Sequence, residues 1–224
     1  MQVVWKEQKF KLREQQILEC TLALLSDQHW QDISVADIAS VTGIGKGTIY
    51  KHFDCKDDIY AQLLLSGFEA LLDNFKRIVA DTKLSGIQQM HAIIICAFEF
   101  HRDDAVHSKI YLACKEGGFR DRLSEKFKQQ LQSVETAVIE LFSIPILKGV
   151  KEGGITAVIP LEVIILGMSA TFEGAIMRIQ NSRDAQQQSC PLQDQYIPLM
   201  ADYMVSAMAN GPVKINFLRD DSDE

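Results

Sequence analysis

Residues 35–53 read VADIASVTGIGKGTIYKHF, and this stretch predicts two short helices joined by a tight turn. Ser34 is a suitable N-cap for the first helix, with Asp37 three residues later as its capping partner. Gly43 stands where that helix should end in a left-handed conformation. Helical spacing turns Ile49 and Phe53 of the second helix inward. The outward face of the second helix then comprises Lys46, Gly47, Thr48, Tyr50, Lys51 and His52.

A short helix with this outward face suits the major groove of DNA. Lys46 and Lys51 can neutralise phosphates, and Gly47 allows a close approach of the backbone. Thr48 and Tyr50 carry hydroxyls for phosphates or base edges. The alternative is an ordinary helical hairpin with a polar surface. The apolar spacing, the turn glycine and the basic face agree on a DNA-binding helix-turn-helix.

The run from Ile44 to Phe53, followed by Lys-Asp-Asp-Ile at residues 56–59, resembles the TetR family of transcriptional regulators. The close match covers about residues 10–60, and it implies that this run is the recognition helix and the start of the next helix. Gly45 stands where the family often has a serine, so it lacks a hydroxyl for one phosphate contact. Cys55 replaces a frequent serine cap and is a poor N-cap, so Asp54 is an alternative cap. The DNA-binding residues predicted from motif and resemblance are Ser34, Gly45, Lys46, Gly47, Thr48, Tyr50, Lys51, His52 and Lys56.

Residues 43–48 also look like part of a phosphate-binding loop. That motif requires a glycine where this chain has Ser40, and the third glycine of a dinucleotide fingerprint would have to replace Thr48. We therefore reject nucleotide binding at this stretch.

Composition indicates an ordinary globular protein with a sizeable core. The chain has 224 residues, 47% of them hydrophobic and 24% charged, with a net charge of −7. Residues 1–60 contain seven basic and nine acidic side chains, so any DNA contact must be narrow and its affinity sensitive to salt. Five scattered cysteines without a Cys-x-x-Cys pair favour a reducing, cytoplasmic setting. The most apolar run, residues 155–172, is interrupted by Pro160 and Glu162, which argues against a membrane span.

The periodicity predicts an all-α fold, without any long strand pattern. Residues 1–55 are expected to form a three-helix DNA-binding domain, residues 56–210 a helical domain for ligand binding and dimerisation, and residues 211–224 a disordered acidic tail. Pro145 should kink or end its helix, and residues 181–189 read as a polar loop. The predicted helices span residues 9–26, 35–41, 46–53, 56–80, 87–101, 103–116, 120–147, 161–179 and 191–210.

The last two predicted helices are apolar, and Gly167, Ala170 and Gly174 place small residues close to one side. A symmetric dimer would cover this side and would set two recognition helices about 34–36 Å apart on the duplex. The alternative is that these helices only close the core of the monomer. The family resemblance implies a four-helix dimer interface, a palindromic operator and a small-molecule pocket whose occupancy changes the spacing of the two DNA-binding heads.

Candidate pocket residues are the aromatic or charged side chains that interrupt apolar helices. Such walls would suit an amphipathic or cationic ligand. Alternatively, each Glu or His points to solvent or pairs with Arg102 or Arg178. The candidates are Phe98, Glu99, His101, Tyr111, Phe172, Glu173 and Met177.

No metal, cofactor or catalytic residue is predicted. His101 and His107 are six residues apart and do not share a helical face, which is poor spacing for zinc. The sequence thus predicts a ligand-released dimeric repressor that is not an enzyme. Two alternatives stay open: a regulator controlled by a protein partner, and an enzyme with an appended helix-turn-helix, although no nucleophile elbow or cofactor loop supports the latter.

Overall fold

A computed structural model describes residues 2–156, 159–184 and 193–209, and the regular elements within these ranges are all α-helices. The predicted all-α fold class is confirmed. None of the described helices is both long and apolar enough to cross a bilayer. The helices are α1 Gln2–Asp27, α2 Val35–Thr42, α3 Lys46–Ile49, α4 Lys56–Ala80, α5 Gly86–Asp103, α6 Ala105–Lys115, α7 Phe119–Arg122, α8 Glu125–Lys151, α9 Leu161–Asp184 and α10 Gln193–Ala209.

Helices α1–α3 form a compact head around buried side chains that include Ile17, Trp30, Ile33 and Ile49. The predicted capping box is present: Ser34 precedes α2, its side chain accepts from the backbone N–H of Asp37, and the Asp37 carboxylate accepts from the backbone N–H of Ser34. Gly43 ends α2 at φ +66°, in the left-handed region that favours glycine. These local signals fix the angle between α2 and α3.

The core of the head continues into the rest of the molecule without a flexible linker. The same cluster of buried residues includes Ile110 of α6, Phe119 of α7 and Phe127 of α8. The rings of Phe53 and Phe127 lie 6.3 Å apart between centroids. The predicted division at residues 55/56 coincides with the start of α4, and the assignment of two domains stays a prediction.

The far end of α4 is held by one side chain of α5. The amide nitrogen of Gln89, a residue only 1% exposed, donates to the backbone carbonyls of Ile78, Val79 and Asp81 at 3.4, 2.9 and 2.8 Å. Carbonyls at a helix C-terminus lack partners within the helix. Gln89 therefore fastens the end of α4 to the body.

The beginning of α5 lies directly on the backbone of α8. A Cβ placed on Gly86 would be 2.2 Å from the backbone nitrogen of Gly149 and 2.4 Å from the carbonyl oxygen of Pro145. The backbone N–H of Gly86 also donates to Glu152 Oε2 at 2.7 Å. Glycine is thus required here by the closeness of the two helices.

Several predicted boundaries differ from the structure. Helix α8 continues past Pro145 to Lys151, so the prediction that it ends near residue 147 is wrong. Packing of Pro145 and Ile146 in the interior offsets the loss of one backbone hydrogen bond. The predicted helix over residues 120–147 is divided into α7 and α8, because Leu123 and Ser124 have extended backbones.

The N-terminal and C-terminal helices also differ in length from the prediction. Helix α1 begins at Gln2 rather than residue 9, and α9 extends to Asp184, through part of the predicted loop. The predicted second helix over residues 46–53 is α3, which ends at Ile49 and is followed by turns. The predicted disordered tail, residues 211–224, lies outside the described residues.

Candidate DNA-binding surface and effector site

Helix α3 presents the surface that the sequence assigned to DNA. Ile49 and Phe53 are buried and anchor it, whereas Lys46, Gly47, Tyr50 and Lys51 are exposed. Thr48, which was also expected to face outward, is half-buried. The side chains left on the surface are those that can reach phosphates and base edges.

Two glycines leave this surface unusually flat. A Cβ placed on Gly45 or on Gly47 would meet no atom within 4 Å, so the packing of the chain does not require a glycine at either position. Gly45 is the N-cap of α3 and makes no side-chain cap. The absence of side chains here instead leaves room for a close external partner. The individual DNA contacts stay predictions.

Ser34 lies at the start of α2 with its hydroxyl engaged. Ser34 Oγ donates to Asp37 Oδ2 at 2.6 Å, and this hydrogen bond lowers the pKa of the Asp37 carboxyl. A phosphate contact by Ser34 would have to share the hydroxyl with this carboxylate. The contact stays a prediction.

The expectation that His52 faces outward is wrong. Its side chain is only 2% exposed, and its ring stacks on that of Phe10 at 3.9 Å between centroids. Glu14 Oε2 lies 3.7 Å from His52 Nδ1, too far for a hydrogen bond. Residue 52 comes three positions after the inward-facing Ile49, and hydrogen bonds of helical turns continue to Phe53, so His52 lies beside the inward face. His52 therefore joins α1 to the end of the recognition segment.

The DNA contact of Lys56 stays a prediction, and in this structure the side chain is engaged within the chain itself. Its Nζ donates to the backbone carbonyls of Trp30, Gln31 and Ile33 at 3.2, 3.4 and 2.8 Å. The same ammonium lies over the rings of Trp30 and Tyr60. All three of its donors have acceptors in the loop before α2. Partial burial lowers the pKa of Lys56.

Sequence reasoning missed the polar contacts that join the head to α6–α8. Asp57 Oδ2 accepts from Arg122 Nε at 2.7 Å, and Asp58 Oδ1 accepts from the backbone N–H of Ser124 at 3.0 Å. Glu116 accepts from Trp30 Nε1 at 3.3 Å. The acidic pair at the start of α4 was the available signal. These contacts give motions of α6 or α7 a direct route to the head.

Five of the seven candidate pocket residues come together between α5, α6 and α9. The ring centroids of Phe98 and Phe172 lie 4.7 Å apart, and those of His101 and Tyr111 lie 4.8 Å apart. Tyr111 Oη donates to Glu173 Oε1 at 3.3 Å. We call these five residues, Phe98, His101, Tyr111, Phe172 and Glu173, the aromatic cluster.

Glu99 and Met177 do not belong to the aromatic cluster, so the structure does not bring them together with the other five candidates. Both are exposed, and Glu99 pairs with Arg102 on the surface of α5. Helix α5 is apolar nearly all round, so the sequence pattern did not show which side faced inward.

The aromatic cluster is apolar inside and charged at its edge. His101 Nδ1 lies 3.2 Å from Ser108 Oγ, and both residues are buried. Gln180, also buried, approaches the His101 carbonyl through its nitrogen, while its oxygen has no hydrogen-bond partner. Glu173 is half-buried and pairs with Lys115 Nζ at 2.7 Å. An unpaired buried acceptor suits a ligand that donates a hydrogen bond.

Stability should depend on pH through His101. Burial lowers its pKa from 6.5 to about 4, so below pH 6.5 the unfolded chain binds a proton that the folded protein excludes. The stabilisation is therefore present above pH 6.5 and is lost as the pH falls towards 4, by about 3 kcal/mol. We expect His101→Phe to reduce this dependence in urea unfolding at several pH values. His29→Asn is the control at an exposed site. If the free energy of unfolding depended on pH equally steeply in His101→Phe and in this control, the assignment would be contradicted.

One concave region lies in a place that the sequence did not predict. A groove of about 210 Å³ runs between α9 and α10 and is lined by Ile164, Met168, Thr171, Met204 and Met208, among others. Within the described part of the chain, no three potential metal ligands come together.

One face of α9 and α10 is exposed and apolar. Leu166 is 69% exposed and Tyr203 is 64% exposed. A Cβ on Gly167 or Gly174 would meet nothing within 4 Å. We call this the α9/α10 face; its exposed members are Val163, Leu166, Gly167, Ala170, Gly174, Met177, Leu199 and Tyr203.

This combination of a helix-turn-helix head and an all-helical body defines a DNA-binding transcriptional regulator. Residues 17–63 match the family of bacterial regulatory proteins named tetR. The transcriptional repressor KstR2 of Rhodococcus jostii is 25% identical over 150 residues, which cover 67% of this chain and 71% of that protein. A regulator of Staphylococcus aureus USA300 is 30% identical over 108 residues, which cover 48% of this chain and only 56% of that protein.

Solved structures share the fold over nearly the whole chain. A TetR-family regulator from Syntrophomonas wolfei superposes with a TM-score of 0.68 at 21% identity, covering 92% of this chain and 99% of that one. The structure of FadR from Bacillus subtilis in complex with stearoyl-CoA superposes with a TM-score of 0.66 at 12% identity. The superposition covers 88% of this chain and 98% of that one. Residues 17–63 thus match the tetR family model, and the solved structures show that the fold of the chain is shared with TetR-family regulators.

Proposed function

We propose that this protein is a dimeric repressor that leaves a palindromic operator when a small molecule binds its body. The observation that carries the proposal is the exposed surface of α3 and the turn after it, where Lys46, Tyr50 and Lys51 lie around a glycine that the packing does not need. Such a face can enter the major groove and hold phosphates at its edges.

The α9/α10 face supports a symmetric dimer. Soluble monomers rarely expose a continuous apolar patch, and the small residues of α9 would allow two copies of the helix to approach closely. A two-fold axis here presents two heads to one duplex, which requires a palindromic site.

The aromatic cluster is the proposed effector site. Its walls are aromatic, its histidine is neutral at physiological pH because burial lowers the pKa of His101 to about 4, and Glu173 is balanced by Lys115. An amphipathic molecule with an apolar body and a hydrogen-bond donor fits this chemistry better than a strongly charged one. Contacts from α6 and α7 to Asp57, Asp58 and Trp30 provide the route by which occupancy changes the head.

We infer that the protein works in the cytoplasm and catalyses no reaction.

The decisive experiment is binding of the purified protein to the DNA upstream of its own gene across a salt series. We expect protection of a palindromic site and a steep fall in affinity with salt. Equal binding to unrelated duplexes at every salt concentration would overturn the proposal.

Removal of an exposed side chain just after α3 should weaken operator binding strongly. Tyr50→Ala or Lys51→Ala removes a predicted contact from the centre of the interface, where each lost contact costs about 1–3 kcal/mol. Gel shift measures operator binding, and sedimentation should show an unchanged dimer. Lys83→Ala, an exposed lysine between α4 and α5, is the control. A simultaneous loss of the dimer would mean that residue 50 or 51 supports the fold.

A further inference from the structure

The N-terminal part of α1 projects beyond the head. Each of residues 5–13 is exposed, and the first buried residue of the described part of α1 is Ile17. An isolated helix of this length would be marginal in water. We call residues 5–13 the N-terminal arm.

The arm is strongly basic in an otherwise acidic chain. It contains Lys6, Lys9, Lys11 and Arg13 against the single acidic residue Glu7, whereas the whole chain carries −7. A concentration of positive charge on one projecting helix is the electrostatic signature of a nucleic-acid contact.

Helical geometry places most of that charge on one side of the arm. Lys6, Lys9 and Arg13 are spaced by three and four residues, so they share a face with Phe10. Ile17, one turn beyond Arg13, continues the same face into the core of the head. Lys11 lies on the opposite side. The basic side of the arm is therefore continuous with the side of α1 that is buried from Ile17 onward, while the arm's own residues stay exposed.

One contact ties that side to the recognition segment. The ring of Phe10 stacks on the ring of His52 at 3.9 Å between centroids, and Lys51 is the neighbour of His52 in the chain. The basic face of the arm thus begins beside the exposed end of the predicted DNA-binding surface.

We propose that the arm is a second DNA contact, in which Lys6, Lys9 and Arg13 bind the phosphates of duplex flanking the operator. The proposal rests on the proposed function, since the arm continues the surface of α3. The nine residues of the arm span about 13 Å, enough to follow about four base pairs. Phosphate contacts carry no sequence information, so the flank can have any sequence.

The test compares two duplexes. The first is the shortest operator that the protein binds specifically through the surface of Tyr50 and Lys51, and the second is the same operator with about five arbitrary base pairs added at each end. The wild-type protein should bind the longer duplex at least about tenfold more tightly at 0.1 M salt. The triple variant Lys6→Gln, Lys9→Gln, Arg13→Gln should bind both duplexes equally. Its slope of log affinity against log salt should be shallower by about 0.9 for each lost contact.

A matched control removes the same charge elsewhere. Lys11→Gln, Lys76→Gln and Lys83→Gln together alter the opposite side of the arm and two exposed sites away from the head. This variant should keep the preference for the longer duplex, and far-UV circular dichroism should show full helix content in both variants. Equal wild-type affinity for the two duplexes, or a preference kept by the first variant, would overturn the proposal. Failure of wild-type protein to bind either duplex specifically would instead overturn the proposed function.

Discussion

Gly86→Ala should strongly destabilise the protein. The added Cβ would lie 2.2 Å from the backbone nitrogen of Gly149 and 2.4 Å from the carbonyl oxygen of Pro145, and neither backbone atom can rotate away as a side chain would. Helices α5 and α8 would have to separate, which would also strain the bond from the Gly86 N–H to Glu152. Overpacking of this kind costs about 3 kcal/mol, a large part of the stability of a typical domain.

Thermal unfolding monitored by circular dichroism measures this loss directly. Gly117→Ala is the matched control, because a Cβ at Gly117 would meet nothing within 4 Å and its φ is not positive. We expect the control to unfold close to the wild-type temperature. If Gly86→Ala were as stable as the control, α5 and α8 would not be in backbone contact in solution.

Leu166→Arg should convert a dimer into monomers that bind DNA weakly. Leu166 is exposed at the centre of the α9/α10 face, and two-fold symmetry would bring each introduced arginine into the interface twice. An unpaired charge buried in an interface costs several kcal/mol, so the dimer dissociation constant should rise by about a thousandfold. Because Leu166 is exposed in the monomer, its helix should stay folded.

Sedimentation equilibrium and gel shift, performed on the same preparation, test this result. Ile139→Arg is the control, since Ile139 is also an exposed apolar residue but lies on α8. The control should stay a dimer and bind the operator. A Leu166→Arg protein that remained dimeric would show that another surface joins the two copies, and the α9/α10 face would then need a different partner.

Local signals in the sequence predicted the head well. The capping box at Ser34 and Asp37, the left-handed Gly43 and the inward Ile49 are each set by residues within one turn of helix. Interactions of this range follow from residue type and spacing alone, which is why the start of α2 agreed with the structure.

Two assigned DNA contacts depended on residues far away in the chain. The acceptors of Lys56 lie 23 to 26 residues earlier, and His52 is covered by Phe10 of a helix that begins well before the predicted start. Neither partner is visible in the local pattern. His52 also lies three residues after the inward-facing Ile49, so the spacing itself places it at the edge of the inward face.

The inward sides of the helices after the head were harder to predict than those of the head itself. Five of the seven proposed effector-site residues are in contact, because aromatic and charged interruptions of an apolar helix do mark a distinctive environment. Glu99 and Met177 were misplaced because periodicity gives no direction when apolar residues surround a helix. The three-way hydrogen bonding of Gln89 had no signal beyond a polar residue in an apolar run.

Because Gln89 holds the C-terminal end of α4, a tilt of this helix around that end moves its other end, which carries the head. The helix has 25 residues, a length of about 36 Å, with Gln89 holding one end and the head attached to the other. A tilt of about five degrees around the Gln89 end carries the head end about 3 Å. In a two-fold dimer the displacements of two such helices add, so the distance between the heads would change by up to about 6 Å, against a half-site separation of about 34 Å. If α4 tilts as a rigid helix, a small rearrangement around the aromatic cluster would be enough to move both recognition helices out of register with the duplex.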